Sequence, residues 1–319
     1  MQNIPIIDVD FINTHTNYSE LITLIKNAFK SSKTEVPLRH HHNFSSHQEK
    51  TDSTLLIMPA WNAKDLGVKI VTVNPENDTY NLPSVQGIYI YFDAIKGIPK
   101  ALLEAKALTV KRTAATSALA SSFLSKKNAS SLLMIGTGAL STQLILAHAK
   151  VRPIQNVFVW GRNYKNSQTI CKELNTENFK ISAIKTYEDI ISKVDIISCA
   201  TLSKTPLVLG KFLKKGQHID LVGSFKKDMR EADDETIKKG TIFLDTYEGG
   251  LKESGDIVIP LENGTLNKND IKADLFELCQ QKKVGRSNEN EITLFKSVGY
   301  ALEDLAAAEY YYIKHQSML

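Results

Sequence analysis

A glycine-rich turn between two apolar runs carries the clearest chemical signal in this sequence. The predicted strand 132–136 leads into Gly-Thr-Gly-Ala-Leu-Ser, a helix-like stretch follows, and a second predicted strand covers 156–160. This order is typical of a dinucleotide-binding βαβ unit, although such turns also occur without a ligand. Gly136 would allow the tight turn, and Gly138 would let the backbone approach a pyrophosphate at a helix N-terminus. The residues predicted to bind the cofactor here are Gly136, Thr137, Gly138, Ala139 and Leu140.

The end of the second predicted strand indicates which nucleotide would bind. Sites that prefer NAD usually place an acid there, which accepts hydrogen bonds from the ribose 2′-hydroxyl. This sequence has Arg162, Asn163 and Lys165 instead, with Ser167 close behind. A guanidinium can pair with a 2′-phosphate in a forked geometry, whereas a carboxylate would repel it. The sequence therefore predicts NADPH as the cofactor, with NADH also usable; a solvated basic turn is the alternative.

Strands and helices alternate from residue 131 onward, which predicts a parallel, doubly wound, Rossmann-type sheet. Further strands are predicted at 180–184, 195–199, 217–222 and 241–244. Ligands in such sheets bind beyond the carboxyl ends of the strands. Ala200, Thr201 and Gly223 fall at such ends and are therefore predicted to line the cofactor site.

Three cations upstream of this region predict an anionic-substrate pocket. Arg39 follows Val-Pro-Leu, Lys69 lies in the apolar run 66–73, and Arg112 opens a helix of small residues. A charge in an apolar strand is costly unless it meets an opposite charge. Arginine donors match both oxygens of a carboxylate, and a desolvated lysine can transfer protons. The prediction is that all three bind substrate and that Lys69 is catalytic; surface cations or structural ion pairs are the alternative.

The tract His40–His42, with His47 nearby, raises the question of a metal. Adjacent histidines on an extended segment point to opposite faces, and no acid or cysteine has matching spacing. We therefore predict no metal, and instead a histidine near Arg39 that helps to line the substrate pocket.

Composition limits the classes of protein that this chain could belong to. It has 319 residues, 42% hydrophobic and 23% charged, with a formal net charge of +4. That charge is too small and too scattered to indicate a nucleic-acid partner. No apolar run approaches the ~18 residues needed to span a bilayer. Three cysteines without metal or redox spacing, and no signal-peptide pattern, predict a soluble cytoplasmic protein.

The organisation predicted from these elements is α/β with two domains. Residues 115–289 form the Rossmann NAD(P)-binding domain, and residues 1–114 with 290–319 form a discontinuous α/β domain for substrate binding and dimerisation. Pro99 at an early position predicts a short helix start over 99–104. The last helix is predicted to begin near Glu291 and to pack back on the first domain.

Seven short stretches, in order along almost the whole chain, together resemble the ornithine cyclodeaminase/mu-crystallin family. They are Met58–Ala60, Gly67–Thr72, Pro75–Asn77, Arg112–Ala115, Gly136–Gly138, Glu253–Asp256 and Lys296–Gly299. The resemblance implies a two-domain subunit that forms a homodimer through its first domain. It also implies a substrate carboxylate bound by Arg39, Lys69 and Arg112.

The family includes several activities, and two departures help to choose among them. Cyclodeaminase members carry carboxylates where this chain has Leu56 and Phe225. Without those acids the site suits hydride delivery better than ammonia loss. The resemblance is therefore greatest to ketimine reductases, and it predicts an oxidoreductase that reduces Δ1-pyrroline-2-carboxylate to L-proline and Δ1-piperideine-2-carboxylate to L-pipecolate. Ornithine cyclodeaminase, alanine dehydrogenase and a non-catalytic NADPH- and small-ligand-binding protein of mu-crystallin type are the alternatives.

Overall fold

The structure is a computed structural model that describes residues 4–31, 33–45 and 53–318, so His47 lies outside the described residues. The strands are β1 Ile6–Ile7, β2 His40–Phe44, β3 Ser53–Trp61, β4 Asp65–Val73, β5 Val85–Asp93, β6 Pro99–Glu104, β7 Ser131–Ile135, β8 Asn156–Trp160, β9 Lys180–Ala183, β10 Ile196–Cys199, β11 His218–Leu221, β12 Gly240–Leu244, β13 Ile271–Asp274 and β14 Ile292–Lys296. The α-helices are α1 Val9–His15, α2 Tyr18–Ser31, α3 Ala105–Leu124, α4 Ser141–Val151, α5 Tyr164–Glu173, α6 Glu188–Ile191, α7 Asp234–Lys239, α8 Tyr247–Gly250, α9 Gly255–Glu262, α10 Leu275–Cys279 and α11 Ala301–Gln316. Short 3-10 helices cover Pro75–Tyr80, Gly210–Phe212 and Lys268–Asp270.

Contacts within the chain divide it into two compact units. The first comprises Met1–Arg112 and Tyr300–Leu319, and the second comprises Thr113–Gly299. Residues 290–299, which the sequence assigned to the first domain, therefore fall in the second unit. The reason is β14, which lies within the sheet of that unit between β11 and β12.

The first unit contains a six-stranded sheet in the order β1-β6-β5-β4-β3-β2. Only the β1–β6 pair is parallel; the other four pairs are antiparallel. Burial alternates along β4, where Gly67, Lys69 and Val71 are buried and the residues between them are only partly buried. Because strand side chains alternate between faces, one face of the sheet is the packed one. Lys69 lies on that face, and α11 packs against β3 and β4.

Residues 99–104 form a strand, so the short helix predicted from Pro99 is wrong. The strand β6 lies between β1 and β5, whose backbone groups supply its hydrogen-bond partners. Pro99 is its first residue, a position where a missing N–H is tolerated in a sheet.

The last helix begins at Ala301, so the prediction that it begins near Glu291 is wrong. Residues 292–296 are instead the buried strand β14. Five buried residues in a row suit a strand covered on both faces of a parallel sheet. Gly299, at φ +81°, provides the turn that separates this strand from the helix.

The second unit contains an eight-stranded sheet in the order β13-β12-β14-β11-β10-β7-β8-β9. Every strand pair in it is parallel. The predicted α/β, doubly wound, Rossmann-type sheet is therefore confirmed. The order in which strands are added reverses at β7: β8 and β9 lie on one side of it, and β10 and β11 on the other. Such a switch point is where these sheets bind ligands.

The part of the chain that the structure describes contains no helix that is both long and apolar enough to cross a membrane.

Candidate functional site

A buried cluster of two cations and two acids lies in the first unit. Lys69 Nζ is 2.7 Å from Asp304 Oδ2. Arg112 donates from Nε to Asp304 Oδ1 at 2.8 Å and from Nη1 to Glu303 Oε2 at 2.7 Å. Each oxygen of Asp304 therefore meets a different cation. We call Lys69, Arg112, Glu303 and Asp304 the buried ion cluster.

Three elements bring the cluster together. Lys69 comes from the packed face of β4, and Arg112 from α3. Glu303 and Asp304 occupy the first turn of α11, where negative charge interacts favourably with the helix dipole. All four side chains are at most 5% exposed. Since an unpaired charge at this depth is very costly, each cation needs one of these acids.

Burial changes the protonation of Lys69. Desolvation lowers the pKa of Lys69, and the neighbouring charge of Arg112 lowers it further. The attraction of Asp304 opposes both effects, and the resulting pKa is about 8. Lys69 therefore exchanges its proton near neutral pH, which is the range required of a general acid or base.

Arg112 and Asp304 stabilise each other in their charged forms. Burial alone would lower the pKa of Arg112, but Asp304 and Glu303 outweigh it and raise that pKa. Burial likewise would raise the pKa of Asp304, but Arg112 and Lys69 outweigh it and lower that pKa. The bonds from Arg112 to the two acids use Nε and Nη1, and Nη2 takes part in neither.

Arg39 lies close enough to this cluster to affect it. Its charge contributes to lowering the pKa values of both Lys69 and His41. For His41 the largest cause is burial, and Arg39 and His42 add to it. In the sheet register His41 pairs with Leu56, and Leu56 with Val71, so these side chains share the face that carries Lys69. Lys69 and Arg112 thus meet in the buried ion cluster, and the charge of Arg39 acts on both Lys69 and His41.

The glycine-rich turn of the second unit has the form needed to hold a dinucleotide. Gly136 adopts φ +120°, and a Cβ there would lie 2.5 Å from the carbonyl oxygen of Ala200, so only glycine fits. A Cβ at Gly138 would meet nothing within 4 Å, so the backbone faces open space. Leu140, at the N-cap of α4, provides no side-chain cap for the first N–H groups. This open turn, at a helix N-terminus without a side-chain cap, fits a pyrophosphate.

The end of β8 presents its basic residues to solvent. Arg162, Asn163 and Lys165 are exposed, and Asn163 caps α5 by accepting from Lys165 N. Ser167, by contrast, is fully buried and cannot contact a phosphate there. Arg162 and Lys165 are therefore accessible from solvent at this end of the sheet.

The loops that follow β10 and β11 contact each other at the carboxyl ends of these two neighbouring strands. A Cβ on Gly223 would lie 2.0 Å from Thr201 N, so the two backbones touch. Glu231 accepts hydrogen bonds from Thr201 N and Thr201 Oγ1, and also from Gly223 N and Ser224 N. The N–H group of Gly223 therefore donates to Glu231 and is not free for a ligand. The absence of a side chain at Gly223 instead allows its backbone to lie against that of Thr201.

A match to a known family agrees with this arrangement of a cation cluster and a nucleotide turn. The model of the ornithine cyclodeaminase/mu-crystallin family matches residues 6–318. The chain belongs to this family.

Named relatives within the family include imine reductases. The chain is 36% identical to the Δ1-pyrroline-2-carboxylate reductase of Colwellia psychrerythraea, over 95% of this chain and 96% of that one. The Thermococcus litoralis Δ1-pyrroline-2-carboxylate reductase, solved with NADH and L-proline, is 33% identical, with a TM-score of 0.92 over 99% of this chain and 98% of that one. An archaeal alanine dehydrogenase dimer with bound NAD is 25% identical, with a TM-score of 0.89 over 99% and 97%.

Sequence reasoning about this family member missed three acids: Glu303, Asp304 and Glu231. Glu303 and Asp304 follow Arg112 by 191 and 192 residues, and the last helix was assigned the wrong start. A usable signal was present, because two adjacent acids precede an apolar Ala-rich stretch that must be buried. Glu231 gave no comparable signal, since it lies in a charged segment typical of a surface loop.

The histidine tract of this family member shows no metal-binding arrangement in the structure. His40 and His42 alternate with His41 across β2, and the rings of His40 and His42 are 6.2 Å apart. Within residues 4–31, 33–45 and 53–318, no group of three or more histidines, cysteines or acids could hold a metal ion.

Proposed function

We propose that this protein is an NAD(P)H-dependent reductase of cyclic imino acids, which converts Δ1-pyrroline-2-carboxylate into L-proline. Δ1-Piperideine-2-carboxylate, which would give L-pipecolate, is the second expected substrate. The observation that carries the proposal is the pairing of Lys69 and Arg112 through one buried acid, Asp304. This pairing fixes a proton donor beside a carboxylate-binding guanidinium.

The substrate carboxylate would bind to Arg112 Nη2 and to Arg39. Charge-assisted hydrogen bonds from arginine suit a carboxylate because two donors meet two oxygens. Asp304 and Glu303 hold the Arg112 guanidinium in one orientation, so little conformational freedom is lost when the substrate binds.

Lys69 would supply the proton that the reduction requires. The cofactor, when bound, supplies a hydride to the imine carbon. The C=N double bond becomes a C–N single bond, and the imine nitrogen takes one proton. Lys69, with a pKa of about 8, can donate that proton from Nζ at neutral pH and recover it from water. Asp304 stabilises the ammonium form before the transfer.

Two apolar residues favour reduction over ornithine cyclodeamination. Leu56 shares the sheet face of Lys69, at a position where the resemblance places a carboxylate in cyclodeaminases. Phe225 occupies the second such position and is 38% exposed. Without these acids the site lacks the groups needed to activate an amine and release ammonia.

For the cofactor, we propose NADPH in preference to NADH. Arg162 and Lys165 are exposed at the end of β8, which is where an adenine ribose lies in this type of sheet. The relatives described above were solved with NADH or NAD, so a moderate preference rather than an exclusive one is expected.

We also propose a homodimer formed through the first unit. Ile57, Ile70 and Ile88 lie across from one another on three adjacent strands, on the face of the sheet opposite Lys69. They are only partly buried, and Ile88 is 38% exposed. An apolar sheet face of this kind is a typical subunit interface. Light scattering during size-exclusion chromatography tests this proposal, and a monomer at micromolar concentration would contradict it.

A substrate panel on the purified protein tests the proposed activity. NADPH and NADH oxidation are followed with Δ1-pyrroline-2-carboxylate, Δ1-piperideine-2-carboxylate and pyruvate plus ammonia, and proline and ammonia are measured from ornithine with NAD. The expected result is cofactor oxidation with the cyclic imines alone. Ornithine turnover or alanine formation without imine reduction would identify an alternative enzyme, and no turnover at all with tight NADPH binding would identify a binding protein.

A further inference from the structure

One buried carboxylate holds two separate loops of the second unit. Glu231 Oε1 accepts from Thr201 N at 2.7 Å and from Thr201 Oγ1 at 2.9 Å. Glu231 Oε2 accepts from Gly223 N at 2.8 Å and from Ser224 N at 3.1 Å. Each oxygen therefore serves one loop, and both oxygens are needed.

These two loops follow neighbouring strands of the sheet. Thr201 comes shortly after β10, and Gly223 shortly after β11, and the two strands are paired in parallel. Both loops lie on the side of the switch point opposite β8. Since a dinucleotide crosses the switch point, and the basic residues after β8 suit its adenine half, the loops after β10 and β11 face its nicotinamide half.

The carboxylate is itself held by a second buried group of charges. Asp256 Oδ1 accepts from the backbone N–H groups of Glu231 and Ala232 at 2.7 and 3.0 Å. Lys296 Nζ lies 3.1 Å from Asp256 Oδ2 and 3.8 Å from Glu231 Oε2, as an ion pair rather than an aligned hydrogen bond. Glu231, Asp256 and Lys296 are all fully buried. Burying three charges carries a large desolvation penalty, and apolar residues of similar size could stabilise the sheet without that penalty.

We infer that Glu231 is a positioning residue that sets the geometry of the two loops for the nicotinamide half of the cofactor. This inference rests on the proposed function for the identity of the cofactor. It assigns Glu231 no contact with the cofactor or substrate. Its effect passes through the backbones of Thr201, Gly223 and Ser224.

Glu231→Gln is the decisive variant. Glutamine has one oxygen, so its NH₂ group would face two hydrogen-bond donors of one loop, and that loop would lose its acceptor. The matched control is Glu235→Gln, which makes the same chemical change at an exposed residue of α7 that pairs with Lys239. For each variant, affinities for NADH, NADPH and ADP are measured by fluorescence titration. Amide exchange at 201, 223 and 224 is measured in the protein without cofactor.

The expected result separates the two halves of the nucleotide. Glu231→Gln should weaken NADH and NADPH binding about 10- to 100-fold, leave ADP binding unchanged, and speed amide exchange in the loop that lost its acceptor. Glu235→Gln should change none of these. Equal weakening of ADP and NADH, or unchanged affinities in the folded variant, would overturn the inference.

If Glu231→Gln does not fold, a milder variant tests whether Glu231 positions the two loops. Thr201→Val removes one of the four donors and keeps the backbone N–H, so NADH binding should weaken about 3- to 10-fold with ADP binding unchanged. Unchanged NADH binding would overturn the inference. Wild-type protein that binds NADH but does not reduce the imine would refute the proposed function alone, and wild-type protein that binds neither NADH nor NADPH would refute both.

Discussion

The buried ion cluster and the glycine-rich turn represent two opposite ways to build a binding site. The cluster joins residues 192 positions apart in the chain, and its cations already have acids as partners. The turn uses five consecutive residues, and Gly138 and Ala139 are exposed. The charges of the cluster are therefore paired within the first unit, whereas the turn exposes its backbone at Gly138 and Ala139.

This difference predicts different responses to mutation. A charge removed from the cluster leaves its partner buried and uncompensated, so stability and activity should both change. A change at the exposed Gly138 of the turn disturbs nothing in the core of the second unit, so affinity should change while stability does not. Four variants test this contrast, in decreasing order of expected effect.

Lys69→Met should have the largest effect, a loss of kcat/KM for Δ1-pyrroline-2-carboxylate of about 10²- to 10⁴-fold, because the variant removes the proton donor. In the wild type, Lys69 is protonated below its pKa of about 8, so reduction should slow as pH rises through that value. The variant should lack this dependence. Lys96→Met, at an exposed turn, is the control. A variant with near-normal kcat/KM would exclude Lys69 as the acid.

Asp304→Asn should lower the free energy of unfolding by about 3–5 kcal/mol. The reason is that two buried cations, Lys69 and Arg112, would then have one carboxylate in the cluster instead of two. Urea denaturation measures this change. The control is Glu20→Gln, which breaks an exposed ion pair with Lys314 in the same unit and should have little effect. If the two variants lose equal stability, the buried ion cluster is not an energetic unit.

Gly138→Ala should leave the melting temperature of the cofactor-free protein unchanged, because the new Cβ meets no protein atom. It should weaken NADH and NADPH binding about 10- to 150-fold, because the methyl group would keep the pyrophosphate from approaching the backbone and hydrogen-bonding to it. Gly136→Ala provides the contrast, since its Cβ would collide with Ala200 and should lower the melting temperature as well. Normal cofactor affinity in Gly138→Ala would place the phosphates elsewhere.

Arg162→Ala should have the smallest effect, a shift of about tenfold in the NADPH-to-NADH ratio of kcat/KM, because an exposed charge pair is screened by salt. The effect should fall on NADPH, since NADH lacks the 2′-phosphate. Lys172→Ala, also exposed on the neighbouring helix, is the control. A ratio that does not move would remove the basis for the preference for NADPH.

Sequence alone was sufficient for the glycine-rich turn and for strands β7 to β12, where the signal was local. The turn at Gly136–Gly138 and the strands β7 to β12 follow from residues next to one another in the chain. Each combines an apolar run with a turn residue, and the structure has them within about two residues of the predicted bounds. Lys69 also stood out locally, because a charge in an alternating apolar strand requires a partner.

Tertiary structure decided what that partner is. Asp304 and Glu303 reach Lys69 and Arg112 only because α11 packs on the sheet of the first unit, and no spacing in the sequence encodes that contact. The same holds for β6 and β14, where neighbouring strands overrode local signals for helix, and for Glu231, which joins two loops. The physical reason is that burial makes an ionic partner obligatory, whereas its identity depends on which distant residues the fold brings within hydrogen-bonding distance.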